Sequence, residues 1–267
     1  MALYEAFGWE PPRFAHVSMI LGADGSRLSK RHGATSVGAY RDLGYVPAAM
    51  VNFLALLGWG YDDKTEIFTL AELERVFSLE RVSRNPAVFN LEKLEWLNGQ
   101  HLKRLPEAER TRLVTDYLAG RGHDLSRHTP EWWTALVRAL GERLRTLADA
   151  ERYGAFALAD DLEIEPEAWA ELLAKPEVGP RLERLADELE KDPDYSLESL
   201  ERGTRGLATA LGVKAGELMG AGRVALTGRK VAPGLFEVMW LLGRERAVAR
   251  LRAAAARWRA ESVPASG

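Results

Sequence analysis

Three cations crowd five residues. In the run "SRLSKRHGATS", residues 26–36, Arg27, Lys30 and Arg31 stand close together with Ser26 and Ser29 among them, and Gly25 and Gly33 flank the cations. Nothing apolar recurs there except Leu28, so there is no helical core face; the segment reads as a mobile, positively charged loop. A second concentration of cations lies near the C-terminus. Residues 203–260 hold 11 Lys and Arg against 3 Asp and Glu, whereas residues 150–202 hold 16 Asp and Glu against 6 Lys and Arg. A basic block of that kind can steer a polyanion, or it can be no more than the solvated face of an Arg-rich helix. Its candidates are Arg223, Arg229, Lys230, Arg244, Arg246 and Arg250.

One arginine stands out by geometry. In "PEWWTALVRALGERLRTLAD" the apolar positions Trp132, Trp133, Leu136, Val137, Leu140, Leu144 and Leu147 fall on one stripe at about 100° per residue. Arg138 and Arg145 fall opposite it, on the solvated side, and Arg143 falls on the stripe's own side. Burial of an unpaired guanidinium is too costly to be the answer. Either the helix breaks at Gly141, or Arg143 emerges beside the core into a groove, or its methylene stem packs while its head stays wet.

The chain that must position these residues has 267 of them, enough for two or three domains. With 46% hydrophobic and 28% charged residues it has the composition of an ordinary soluble protein. The absence of cysteine excludes disulfides and thiolate metal sites, and the cytosol is the simplest compartment. "MALYEAFGWEPP" is not a signal peptide, and no run approaches the roughly 18 apolar residues of a membrane span.

The pattern begins with a short helix, "ALYEAFGW", a Pro-Pro break, and a strand, "RFAHVSMILG", ending in the turn "GADG". His16 reads as a half-buried strand residue. A helix over 46–59 starts with Pro47. Thr69 and Glu72 form a capping box for the next, and Asn90 caps a third whose stripe is Leu91, Leu94 and Leu97. Trp96 is assigned to the core with Leu94 and Leu97. After Pro106 the pattern is helical throughout, with candidate helices at 107–119, 130–149, 165–174, 179–191, 196–211, 214–219 and 233–259, and no alternating strand.

These residues carry a resemblance. "RLSKR" followed by "HGATSVGAYRDLGYVPAAMVNFLALLGW" resembles the KMSKS loop of bacterial glutamyl-tRNA synthetase and the segment after it. The likeness continues through "EIFTLAELERVFSLERVSRNPAVFNLEKLEWLNGQHL" and returns in "ALTGRKVAPGLFEVMWLLGRERAVARL". The order of loop, Trp-Leu-Asn-Gly helix and Ala-Leu-Thr-Gly segment is what makes it specific; residues 107–200 are the least distinctive.

The resemblance implies a ligase that joins glutamate to the adenylyl group of ATP, with pyrophosphate leaving, and then to tRNA(Glu), with ATP and magnesium as the cofactors and no metal held by this chain. Arg27, Leu28, Ser29, Lys30 and Arg31 would form the ATP loop, with Lys30 as its catalytic ammonium and Arg27 in place of the family's first lysine. Arg143 takes the place of the arginine that reads the last anticodon base, a cytosine, in discriminating members. Thr227, Gly228 and Arg229 lie in a segment resembling the family's anticodon-contacting loop.

The implied fold is predominantly α-helical. It comprises the end of a Rossmann-type nucleotide-binding domain at 1–25, the loop and a mixed stem-contact fold at 26–106, and two all-helical anticodon-binding domains at 107–165 and 166–267. Glutaminyl-tRNA synthetase, a close relative, is expected to use β-barrels there, and nothing after residue 106 reads as one.

The other signature of the class, HIGH, is not here. None of His16, His32, His101, His123 and His128 lies in a His-x-Gly-His context. The chain therefore resembles the C-terminal portion of a synthetase: a deliberately made piece, a truncated gene, or a separated gene half whose N-terminal half is a partner. The expectation is a cytoplasmic monomer, with no membrane partner, that does not charge tRNA alone. The other class of function is a non-catalytic tRNA-binding or protein-interaction module that survives without its active site.

Overall fold

The computed structural model describes residues 1–29, 31, 33 and 36–262. The chain divides into two compact units, residues 1–104 and 105–267.

The first unit runs α1 (Ala2–Phe7), β1 (Ile20–Leu21), α2 (Val37–Asp42), α3 (Pro47–Leu56), α4 (Leu70–Val76), β2 (Ala87–Val88) and α5 (Leu91–Arg104). β1 and β2 pair in parallel, Ile20 with Ala87 and Leu21 with Val88. The expected strand over 13–22 shrinks to two residues. The Met19 carbonyl still accepts from the Ala87 amide at 3.1 Å, but among the described residues no strand pairs with 13–18, and Phe14, His16 and Val17 are exposed, so a β-type sequence without a ladder partner stays irregular. His16 is thus neither half-buried nor in a strand.

The helix starts follow the local code. Pro47 occupies the first turn of α3, where its missing N–H costs nothing. Thr69 Oγ1 accepts from the Glu72 amide at 3.2 Å while Glu72 accepts from the Thr69 amide at 2.7 Å, the expected capping box. Asn90 Oδ1 accepts from the Lys93 amide at 3.0 Å to open α5.

The core gathers Tyr40, Tyr45, Met50 and Phe53 against Leu94 and Leu97; each such side chain removed from water contributes about 1.5–3 kcal/mol. Trp96 is 41% exposed and is not part of it. Two buried side-chain amides clip backbone to this core, and a histidine supports one of them. Asn98 accepts from the Val46 amide at 2.8 Å, and Asn52 donates to the Glu66 carbonyl at 3.0 Å and accepts from the Phe68 amide at 3.0 Å. His101 Nε2 donates to the same Asn52 oxygen at 2.9 Å, and burial, then Arg104, holds this imidazole below its ordinary pKa.

The second unit is helical: α6 (Glu107–Gly120), α7 (Pro130–Leu140), α8 (Asp149–Leu158), the short α9 (Pro166–Ala168) running into a π turn at Trp169–Leu173, α10 (Val178–Lys191), α11 (Leu197–Ala210), α12 (Ala215–Thr227) and α13 (Leu235–Ser262). Among the described residues both strands precede residue 106. The whole α7 stripe is buried from Trp132 to Leu147. The helix itself stops at Leu140, because Gly141 takes φ 52°, ψ −127°, outside helical space. A 3₁₀ turn at Gly141–Arg143 follows, and a separate helix, α8, replaces the end of the single expected helix 130–149.

α13 is likewise interrupted, at Gly243 (φ 73°, ψ 162°). Near the break, Trp132 Nε1 donates to the Leu241 carbonyl at 2.9 Å and the Tyr195 hydroxyl to that of Met239 at 3.0 Å, which satisfies carbonyls that an interrupted turn exposes. The first of these bonds also crosses residue 165, so segments 107–165 and 166–267 pack as one body.

Candidate nucleic-acid interface

In the first unit the cationic loop begins on a pinned limb. The Gly22 amide donates to the Ser26 carbonyl at 2.8 Å, and the Leu28 amide to that of Ile20 at 3.0 Å. Arg27 opposes Leu21 in an antiparallel bridge. Asp24 accepts from the Ser26 amide at 3.0 Å, closing the expected turn. Leu28 is half-buried, whereas Arg27, Ser29 and Arg31 are exposed. So the limb presents Arg27 outward from a fixed backbone. Lys30, the expected catalytic residue, lies outside the described residues.

In the second unit, Arg143 ends the tight turn after α7. The next residue, Leu144, is buried, as is Leu147. Asp149 Oδ2 then accepts from the amides of Arg145 at 3.0 Å and Thr146 at 2.8 Å. Of the alternatives read from the sequence the helix break is realised, and the turn is held on both sides. Arg143 itself is half-buried, with no side-chain hydrogen bond or ion pair among the described residues. Arg138, expected to be merely solvated, forks onto Glu107 of α6 at 2.9 and 2.8 Å. Nearby, His128 lies flat on Trp132, ring centroids 3.6 Å apart; burial, then Arg127 and Arg246, depress its imidazole pKa.

The turn after α12 is over-determined. The Thr227 hydroxyl donates to the Arg223 carbonyl at 2.7 Å and accepts from the Arg229 amide at 3.3 Å. Gly228 adopts the left-handed region (φ 73°), and a Cβ there would stand 2.1 Å from the Glu163 carbonyl oxygen. The Glu165 amide donates to the Gly228 carbonyl at 2.9 Å. Thr227 and Gly228 are therefore frame, both buried, while the half-buried Arg229 and Lys230 carry the charge.

Other basic candidates are spent internally. Arg246 donates to the carbonyls of Ala157 at 3.2 Å and Ala159 at 2.7 Å. Arg250 donates to Phe156 at 2.7 Å and to Leu226, in the last turn of α12, at 2.9 Å. Both guanidinium groups thus cap the carbonyl end of α8. Burial pushes the Arg250 pKa down to about 10, which leaves it charged at neutral pH. Arg244 donates to the Asp192 carbonyl and lies over the Tyr195 ring.

The acidic and basic blocks meet. α13 lies along α10, and Arg252 pairs with Asp187 and Glu190, Arg259 with Glu183, Lys230 with Glu171 and Arg229 with Glu165. The basic block is hence largely neutralised by its own neighbour, and neither a bare polyanion patch nor a plainly solvated helix describes it. Sequence reasoning missed the acidic partners Glu165 and Glu171; the adjacent blocks of opposite charge were the signal.

A pinned cationic loop in one unit and an all-helical unit presenting arginines from rigid turns are the parts of a class I aminoacyl-tRNA synthetase. The family described as tRNA synthetases class I (E and Q), catalytic domain, matches residues 1–96, and the family described as anticodon binding domain matches residues 109–255. The glutamate–tRNA ligase of Thermodesulfovibrio yellowstonii is 42% identical over 252 residues, 94% of this chain and 54% of that protein. Glutamate–tRNA ligase 1 of Syntrophus aciditrophicus is 42% identical over 250 residues, 94% of this chain and 52% of that protein.

The crystal structure of a glutamate tRNA ligase from Elizabethkingia meningosepticum, in complex with its amino acid, superposes with a TM-score of 0.80 at 27% identity, covering 96% of this chain and 53% of that one. The chain belongs to the glutamyl-tRNA synthetase family, as a C-terminal portion. It spans about half the length of the curated relatives it matches. Among the described residues no helix is long and apolar enough to cross a membrane.

Proposed function

We propose that this chain supplies the ATP loop, the stem contacts and the anticodon-reading surface of a glutamate–tRNA ligase, which attaches glutamate to tRNA(Glu) with consumption of ATP. The observation that carries this reading is the alignment to one glutamate–tRNA ligase at 42% identity over 252 residues, across both the catalytic-domain and the anticodon-binding matches. Residues 1–25 end the nucleotide-binding domain, 26–106 form the loop and stem-contact fold, and 107–165 and 166–267 are the anticodon-binding segments.

In the proposed reaction the glutamate carboxylate attacks the α-phosphate of ATP and pyrophosphate leaves. Negative charge grows on the transferring phosphoryl group and on the leaving group. Lys30, with Arg27 and Arg31, stabilises that charge, Ser29 donates a hydroxyl hydrogen bond, and Leu28 anchors the loop. Magnesium accompanies ATP; among the described residues no group of three or more His, Asp and Glu is placed to hold a metal ion.

Purified chain with ATP, glutamate and tRNA(Glu) is expected to give no charging, since it contains no His-x-Gly-His motif, and charging is expected to appear when the N-terminal half of a ligase of this family is added in trans. Charging by the chain alone sinks the division of labour. tRNA binding with no charging, even with that half supplied, leaves an RNA-binding module instead.

Arg143, Thr227, Gly228 and Arg229 form the proposed RNA contacts, Thr227 and Gly228 by shaping the turn and Arg229 by its charge. Single-stranded loops present splayed bases, and cytosine offers acceptors that a guanidinium fork can meet. Arg143 is held by the buried Leu144 beside it and has no internal partner among the described residues. Arg143→Gln keeps some donors and loses the charge and the fork. Discrimination is expected to fall by roughly 1–3 kcal/mol, with affinity lost for tRNA whose anticodon ends in cytosine and kept for a variant ending in guanine. Equal weakening of both, with a shallower salt dependence, reassigns Arg143 to the phosphate backbone.

A further inference from the structure

The basic turn at residues 228–230 and the acidic stretch at residues 160–171 are built against one another. Gly228 rests on the Glu163 carbonyl, and the Glu165 amide donates to the Gly228 carbonyl at 2.9 Å. The start of the stretch is tied down as well: Arg127 donates to Asp160 at 2.8 Å, and Arg246 holds the Ala159 carbonyl at 2.7 Å. These anchors keep carboxylates beside the two cations of the turn. Glu165 Oε1 lies 3.6 Å from Arg229 Nε, and Glu171 Oε2 lies 2.7 Å from Lys230 Nζ. The hydrogen bond and charge of Glu171, reinforced by Glu167 and Glu165, raise the Lys230 pKa.

Exposed pairs of this kind are weak and screened by salt. They cannot lock the cations away, but they set a threshold that any competing anion must exceed. We propose that this acidic stretch is a specificity determinant of the RNA interface: Glu165 and Glu171 compete with phosphate for Arg229 and Lys230. A ribose–phosphate backbone alone then gains little at the turn, and an RNA that adds base contacts draws the cations off. The physical reason is that a free cation meeting a phosphate releases counterions, whereas a paired one must first give up its carboxylate.

The inference rests on the RNA-binding reading above, and its test separates the two. The full chain and its Glu165→Gln/Glu171→Gln variant are titrated with poly(U) and with tRNA(Glu) across about 50–300 mM salt. In the variant, poly(U) affinity at low salt is expected to rise roughly three- to tenfold. Its slope of log K against log salt should steepen by about 1.4, from ~0.7 for each of two released cations on single strands. Affinity for tRNA(Glu) should rise less, so the ratio between the two RNAs falls. Adding Arg229→Gln and Lys230→Gln to the variant should abolish the gain.

A variant that fails to fold is replaced by the two single substitutions, each expected to give half the slope change. Binding of tRNA(Glu) with poly(U) affinity and slope unmoved by the substitutions overturns this proposal alone. Binding of neither RNA by the unaltered chain overturns the RNA-binding reading and the proposal with it.

Discussion

Lys30→Ala in a complete ligase of this family is expected to lower adenylate formation about a hundredfold and leave tRNA affinity nearly unchanged. Removing one preorganised donor from developing negative charge typically costs about 3 kcal/mol, because in a water-excluded site nothing replaces it. Its neighbours cannot stand in. Arg27 is tied through its backbone to the β1 limb by the bridge to Leu21, so its guanidinium reaches from a fixed origin. Arg27 is also a planar fork where the family has an ammonium. Pre-steady-state measurement of pyrophosphate exchange, beside tRNA binding by filter retention, separates the outcomes. A fall in tRNA binding with exchange intact would mean that the loop has been misassigned from its sequence.

The second large effect is structural. Gly228→Ala is expected to destabilise the second unit by about 3 kcal/mol. An L-residue in the left-handed region costs roughly 1–2 kcal/mol. Here a Cβ would also stand 2.1 Å from the Glu163 carbonyl oxygen, so the turn must move off the 160–165 segment. Moving it breaks the bond from the Glu165 amide to the Gly228 carbonyl and the contact of Arg229 with Glu165. A backbone hydrogen bond lost in this way adds about 1 kcal/mol. In a unit of this size each kcal/mol lowers the Tm by about 2–4 °C, so a fall of roughly 6–12 °C is expected by calorimetry.

Gly212→Ala is the control. Gly212 has nearly the same dihedral (φ 67°), with nothing within 4 Å of where a Cβ would be. It should show the dihedral cost alone. Equal losses at the two glycines would refute the close-approach argument.

Much of the architecture was legible in local chemistry. Caps depend on neighbouring residues, so Thr69 with Glu72, Asn90 and Pro47 could be read directly, and the α7 stripe followed from periodicity alone; a stop expected at Gly99 is not realised, because α5 continues to Arg104 with Leu102 buried. The change from a mixed first part to an all-helical second part was legible for the same reason. The family likeness rested on residue order, which needs no tertiary knowledge. Trp96 and residues 13–19 were misread because burial depends on what lies opposite, and a stripe or an alternation cannot say whether a partner is present.

What the sequence by itself determined was most of the helices, though not α2, the break between α7 and α8 or the length of α12, together with the cationic loop and two blocks of opposite charge; what only the tertiary structure decided was which charges remain available. Arg246 and Arg250 read as phosphate ligands until the carbonyl end of α8 lay beneath them, and Arg229 and Lys230 read as free until Glu165 and Glu171 arrived from 59 or more residues away. Charge is a property of a residue, but its availability depends on distance to other charges and to backbone dipoles. Those distances are set by packing between segments far apart in the chain.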